Sequence, residues 1–206
     1  PKSNTICAQP IPRLIKPRPT MSIRYLFLPL RRTKCGGSTI SHELSAAATV
    51  LDAWEVIGGA QVQDGRIVVA DWRCDWVGLG VAIQLGRAGH PVVLGSTGTI
   101  AGQRIQQYVR DAMITAAERT RVERIPLVRI FGYDGSAVFF QHVLTEEAVV
   151  VEDVAGLVLA LGHEPVDELY HALLDYPGEV HAIGDCLAPR TAEEAVLEGL
   201  RVASAI

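Results

Sequence analysis

Three short stretches carry the residues most able to do chemistry. The first is Asp71-Trp72-Arg73-Cys74-Asp75-Trp76-Val77-Gly78-Leu79-Gly80, a turn between an apolar run and a helical pattern. The second is Ala160-Leu161-Gly162-His163-Glu164-Pro165, and the third is Ile183-Gly184-Asp185-Cys186 followed by Ala188-Pro189-Arg190-Thr191. A turn that joins a strand to a helix is where a dinucleotide's pyrophosphate binds, because backbone N–H groups and the helix N-terminus face it there. Such a turn needs glycines, and here only Gly78 stands where the last glycine would, the one required for close helix–strand packing. The first two are missing. Asp71 and Asp75 put negative charge where phosphate would sit, and Arg73 compensates in part. The stretch thus reads as a nucleotide-binding scaffold with a degraded fingerprint, a working nicotinamide nucleotide site being the alternative. A Gly-Asp pair just before a capped helix puts the Asp185 carboxylate at the carboxyl edge of a sheet, where open α/β folds bind ligands.

Other chemistry is excluded or stays bland. The four cysteines (7, 35, 74, 186) form no CxxC or Cys/His cluster, so no zinc or iron–sulfur site can be built from them. The six histidines are not grouped at ligand spacing. His163 reads as a loop residue, with contact to a cofactor as the alternative. Trp72 and Trp76 either stack on an adenine or pack against the first strand. Cys186 reads as structural. No Ser/His/Asp or paired-carboxylate arrangement stands out, so no catalytic residue is assigned.

These residues need elements to hold them. Val50, Leu51, Trp54 and Ile57 mark a short amphipathic helix that ends at Gly58-Gly59. Residues 66–70 (RIVVA) read as a buried strand, 78–88 as a helix and 91–95 (PVVLG) as a second strand, a β-α-β unit of about the usual length. Ile105, Tyr108, Val109, Ala112, Met113 and Ala116 carry the rhythm of a long amphipathic helix. Short strands at 122–130, 137–143 and 147–151, with a turn at Tyr133-Asp134-Gly135, predict a small antiparallel meander. The continuous apolar run 156–162 predicts a parallel strand covered on both faces. Pro165 suits a helix's first turn, with Val166, Leu169, Tyr170, Leu173 and Leu174 as its buried stripe. A strand over 179–185 and a helix opened by the Thr191/Glu194 capping box follow. The expected fold is α/β, a Rossmann-like three-layer FAD/NAD(P)-binding fold with a small antiparallel meander.

Charge is unevenly spread. The first acidic residue is Glu43, and eight of the 19 basic residues precede it, leaving 11 basic against 23 acidic in the remainder. That acidic majority argues against nucleic-acid binding. Residues 1–45 also hold six of the 11 prolines. They read as a poorly ordered extension, with a targeting peptide or a nucleic-acid-binding arm as alternatives. No apolar run reaches the roughly 20 residues of a membrane span. Scattered cysteines favour a reducing, cytoplasmic compartment.

RIVVADWRCDWVGLGVAIQLGRAGHPVVL, AGQRIQQYVRD, GLVLALGHEPVDEL and GEVHAIGDCLAPRTAEEAVLEGLRVAS together resemble the C-terminal region of the NADH:flavin oxidoreductase family. This family of multidomain old-yellow-enzyme relatives includes 2,4-dienoyl-CoA reductase, trimethylamine dehydrogenase and N-methylproline demethylase-like proteins. The resemblance runs from about Val50 to Ile206. It implies an NAD(P)-type nucleotide-binding domain over 46–183, and the closing strand and helix of an outer FAD-type domain over 184–206. It implies FAD or ADP and NAD(P)H as cofactors, with Asp185 facing the ribityl or pyrophosphate part; Asp71, Arg73, Gly78, Gly162 and Gly184, from the three stretches above, complete the candidate cofactor-binding residues. FMN and a [4Fe-4S] cluster would belong to a TIM barrel that this sequence does not contain. Such a barrel domain, or a second copy of the chain, is the expected partner.

Overall fold

The computed structural model describes residues 43–44 and 49–205; the expected extension 1–45 lies outside these except for its last-but-one pair, Glu43 and Leu44. Its centre is a five-stranded, wholly parallel sheet of β2 (Val50–Asp52), β9 (Val154–Ala160), β3 (Arg66–Asp71), β4 (Val92–Ser96) and β5 (Glu123–Ile125), side by side in that order. β-branched and aliphatic residues fill the central strands because both faces are covered. Helices α1 (Ala53–Ile57), α2 (Trp76–Arg87) and α3 (Gln107–Arg119) cover one face. The other face packs on a second sheet, in which β6 (Val128–Tyr133), β7 (Val138–His142) and β8 (Ala148–Val151) form the antiparallel meander. The two-residue β1 (Glu43–Leu44) lies parallel to β6 at its edge. Helices, sheet and meander make the three layers.

The chain runs outward through β3, α2, β4, α3 and β5, then returns through the meander to insert β9 on the far side of β3. The carboxyl ends of β3 and β9 therefore flank a topological switch point, the crevice where such sheets bind ligands. Asp71 pairs in register with Ala160 there, and the ladder runs one step further through the Trp72 N–H to the Ala160 carbonyl.

Gly95, near the end of β4, has a packing role. A Cβ at this position would lie 2.5 Å from Cζ of Phe140, the meander ring that packs on β4. Pro126 splits the expected strand 122–130 in two, β5 joining the parallel sheet and β6 opening the meander.

Several expectations need correction. Residues 50–52 are a strand, and α1 begins only at Ala53, capped by Asp52 in a capping box with Glu55. Its buried face is Ala53 and Val56; Trp54 and Ile57 are exposed. In α3, Tyr108 is 79% exposed and only Ala117 is fully buried. Pro165 lies before α4 (Glu168–Ala172) rather than in its first turn. No residue of α4 is buried, and Leu169 is 71% exposed. Residues 179–183 form no strand, because no strand among the described residues lies beside them; Gly184–Cys186 is a single 3-10 turn. The last helix, α5 (Ala192–Ala203), has the expected Thr191/Glu194 capping box but no buried residue. Among the described residues, every buried one lies between Ala53 and Leu161.

Candidate functional site

The site is built around the start of α2. Asp75 is its N-cap: Oδ1 accepts the Val77 N–H at 3.0 Å, satisfying a donor that helix geometry leaves open. Arg73 Nε lies 3.0 Å from Asp75 Oδ2 without directing its N–H at it. His163 Nε2 lies 3.6 Å from the same oxygen, and His163 Nδ1 accepts the Trp54 indole N–H at 3.2 Å. Three elements thus meet on one carboxylate: α1 through Trp54, α2 through Asp75, and the segment after β9 through His163. Burial by itself would raise the Asp75 carboxyl; the nearby His163 ring, the Val77 hydrogen bond and the Arg73 charge outweigh it and hold the group below its ordinary value.

Asp71 sits beneath this turn, 2% exposed. Its Oδ1 accepts the Cys74 N–H at 2.9 Å, and its Oδ2 is buried without a partner. Burial, reinforced by the nearby Asp75 charge against the opposing hydrogen bonds and Arg73, pushes its carboxyl up to about 7. Gly78 faces it directly, since a Cβ there would fall 2.5 Å from Asp71 Cγ. Gly78 therefore has the expected close-packing role, but it packs on a side chain. Cys74 reaches φ +53° to complete the turn, and its Sγ accepts the Gly98 N–H at 3.0 Å.

Beside the turn opens a cleft of about 720 Å³, a size typical of small-molecule sites. Trp54, Trp76, Val77, Val109, Met113 and Val166 supply its apolar surface. Arg73, Arg104 and Arg190 bring guanidinium groups; Asp75, Glu164, Asp185 and Glu194 bring carboxylates. The sequence-expected residues divide accordingly. Arg73 and Asp185 line the cleft, while Asp71 and Gly78 lie buried beside it. Gly162 and Gly184 do not line it. Gly184, at φ +63°, donates its N–H to Glu198 Oε2 at 2.7 Å, and the Arg190 N–H reaches Asp185 Oδ1 at 3.4 Å. Arg190 also pairs with Glu198.

Sequence reasoning missed Trp54 and Arg104 as cleft residues; Glu164 and Arg190 lie within the stretches it singled out but receive no role there, and it reads His163 first as a loop residue. Asp75 had a legible signal, an Asp immediately before an apolar-periodic run. Trp76 is 68% exposed and lines the cleft. Among the described residues no group of His, Cys, Asp and Glu is arranged to hold a metal ion.

The turn does not fit a dinucleotide's pyrophosphate, because the Asp75 carboxylate already takes the α2 N-terminus and the Asp71 side chain fills the space under Gly78. The cleft beside it combines aromatic walls with three guanidinium groups and four carboxylates.

No family model matches the sequence, and no curated protein does. Solved structures do match its fold. Histamine dehydrogenase from Rhizobium sp. 4-9 superposes with a TM-score of 0.72 at 17% identity, over 84% of this chain and 28% of that one. The 6-hydroxypseudooxynicotine amine oxidase HisD from Pseudomonas geniculata N1 gives 0.67 at 23% identity, over 74% of this chain and 24% of that one. Thioredoxin reductase from Lactococcus lactis gives 0.55 at 17% identity, over 82% and 62%. The chain thus spans about a quarter of the length of the first two. The expected Rossmann-like three-layer α/β fold with a small antiparallel meander is the fold observed.

Proposed function

We propose that this chain is the nucleotide-binding and electron-transfer region of a flavin-dependent oxidoreductase of the NADH:flavin oxidoreductase type, in the manner of N-methylproline demethylase-like proteins. The observation that carries the reading is the cleft at the carboxyl end of the parallel sheet, where α2 and α3 face the Asp185–Arg190 segment. Its ligand is FAD or ADP, with Trp76 against the ring and Arg104 and Arg190 toward the phosphates. A bound flavin would supply the capacity to accept and pass on reducing equivalents. Substrate chemistry belongs to an FMN-bearing barrel that partners this region, in the cytoplasm. In this reading 46–183 is the nucleotide-binding domain, and 184–206 closes a second, FAD-type domain. The fully exposed side of α5 supports that division, since an amphipathic helix with no buried residue has a face to give to another domain.

Calorimetric titration of the chain with ADP and FAD tests the proposal. Saturable binding that weakens in Arg104→Ala supports it; no binding of either ligand refutes it. One observation favours a second reading, a non-catalytic remnant or subunit that docks a partner: the α2 turn is filled by the chain's own carboxylates.

A further inference from the structure

Asp75 occupies the place where a Rossmann turn receives a phosphate, and it is held there from three sides. The Val77 N–H binds its Oδ1, while Arg73 and His163 flank its Oδ2, with His163 anchored in turn by Trp54. An ordinary N-cap needs only the first of these contacts. The other two supply positive or hydrogen-bonding partners of the kind a bound phosphate would use. We infer that Asp75 is a tethered anion in the phosphate position, a specificity-determining residue that restricts the cleft to ligands placing no phosphate on α2. This rests on the reading of the cleft as a nucleotide site and narrows it: a nucleotide must enter with its phosphates toward Arg104 and Arg190, and a pyridine dinucleotide laid across the α2 turn is refused. The cause is both charge and space. A phosphate at the turn would lie against a carboxylate, and the Val77 N–H that should receive it is already bonded.

The test compares the wild-type chain with Asp75→Gly, which a helix N-cap tolerates and which removes the charge and frees the Val77 N–H. The probe is inorganic pyrophosphate, followed by calorimetry and by the backbone amide resonances of Val77 and Gly78; thermal unfolding establishes that the variant is folded. The expected result is a gain in affinity of roughly tenfold or more in Asp75→Gly, with the Val77 and Gly78 resonances moving only in the variant. Glu164→Gln removes another cleft carboxylate and is expected to gain less than about twofold. No gain in Asp75→Gly, a gain without movement of the Val77 resonance, an equal gain in Glu164→Gln, or movement of the Val77 resonance in the wild type would each overturn the inference. ADP is titrated into the same samples. Failure of ADP to bind removes the nucleotide reading of the cleft but leaves the pyrophosphate comparison to stand or fall by itself.

Discussion

Replacing Asp71 by Asn should convert a pH-dependent cost into a constant one. The Asp71 carboxyl loses its proton near 3.8 when exposed and near 7 in the folded chain, where it is buried with one oxygen unpartnered. Between those values the unfolded state binds fewer protons than the native state, so stability falls as pH rises, and the fall ends above pH 7. The slope is about 1.4 kcal/mol per pH unit, which amounts to roughly 2–3 kcal/mol between pH 5 and pH 8. Asn keeps an oxygen for the Cys74 N–H and places an amide where Oδ2 lies, so its own penalty of about 1–3 kcal/mol does not vary with pH. Urea unfolding of both proteins at half-unit steps from pH 5 to pH 8 isolates the effect, because every other titrating group cancels in the difference. The stability of Asp71→Asn relative to wild type should climb by roughly 2–3 kcal/mol over that range and level off above pH 7. Parallel curves would mean that Asp71 is ionised throughout and that its burial costs nothing of this kind.

Gly78→Ala should destabilise the fold by about 1–3 kcal/mol, since its Cβ would meet Asp71 Cγ at 2.5 Å; denaturation of Gly78→Ala in an Asp71→Ala background should cost clearly less. Gly95→Ala should cost a similar roughly 1–3 kcal/mol by driving a methyl into the Phe140 ring, and Phe140→Leu should relieve part of it in the same assay. The purified chain should be colourless, because residues 162–205 bury nothing of their own and frame the cleft too loosely to retain flavin through purification; a stoichiometric flavin absorbance spectrum would contradict this.

How far the sequence could be read depended on whether an element's partners were near in the chain. The β3-α2-β4 unit was legible because each segment buries against its neighbours in sequence, and the apolar run of β9 announced a strand covered on both sides. Residues 179–183 have the same strand-like composition and form no strand, since β propensity describes a fit to neighbours and none lies beside them. The apolar rhythms of α3, α4 and α5 likewise identified faces suited to burial without identifying what buries them, which is why Tyr108, Leu169 and Leu200 stand exposed. At the site, the loss of the glycine fingerprint and the charge of Asp71 and Asp75 were visible in ten consecutive residues, but their consequence was not. The Trp54–His163 contact joins residues 109 apart, and Arg104 and Arg190 reach the cleft from two separate loops. A degraded fingerprint read alone suggests a site that has decayed. The folded chain has instead spent three side chains, Arg73, His163 and Trp54, on surrounding and supporting the Asp75 carboxylate at α2, and a turn with no remaining role would need none of those three to keep its helix capped.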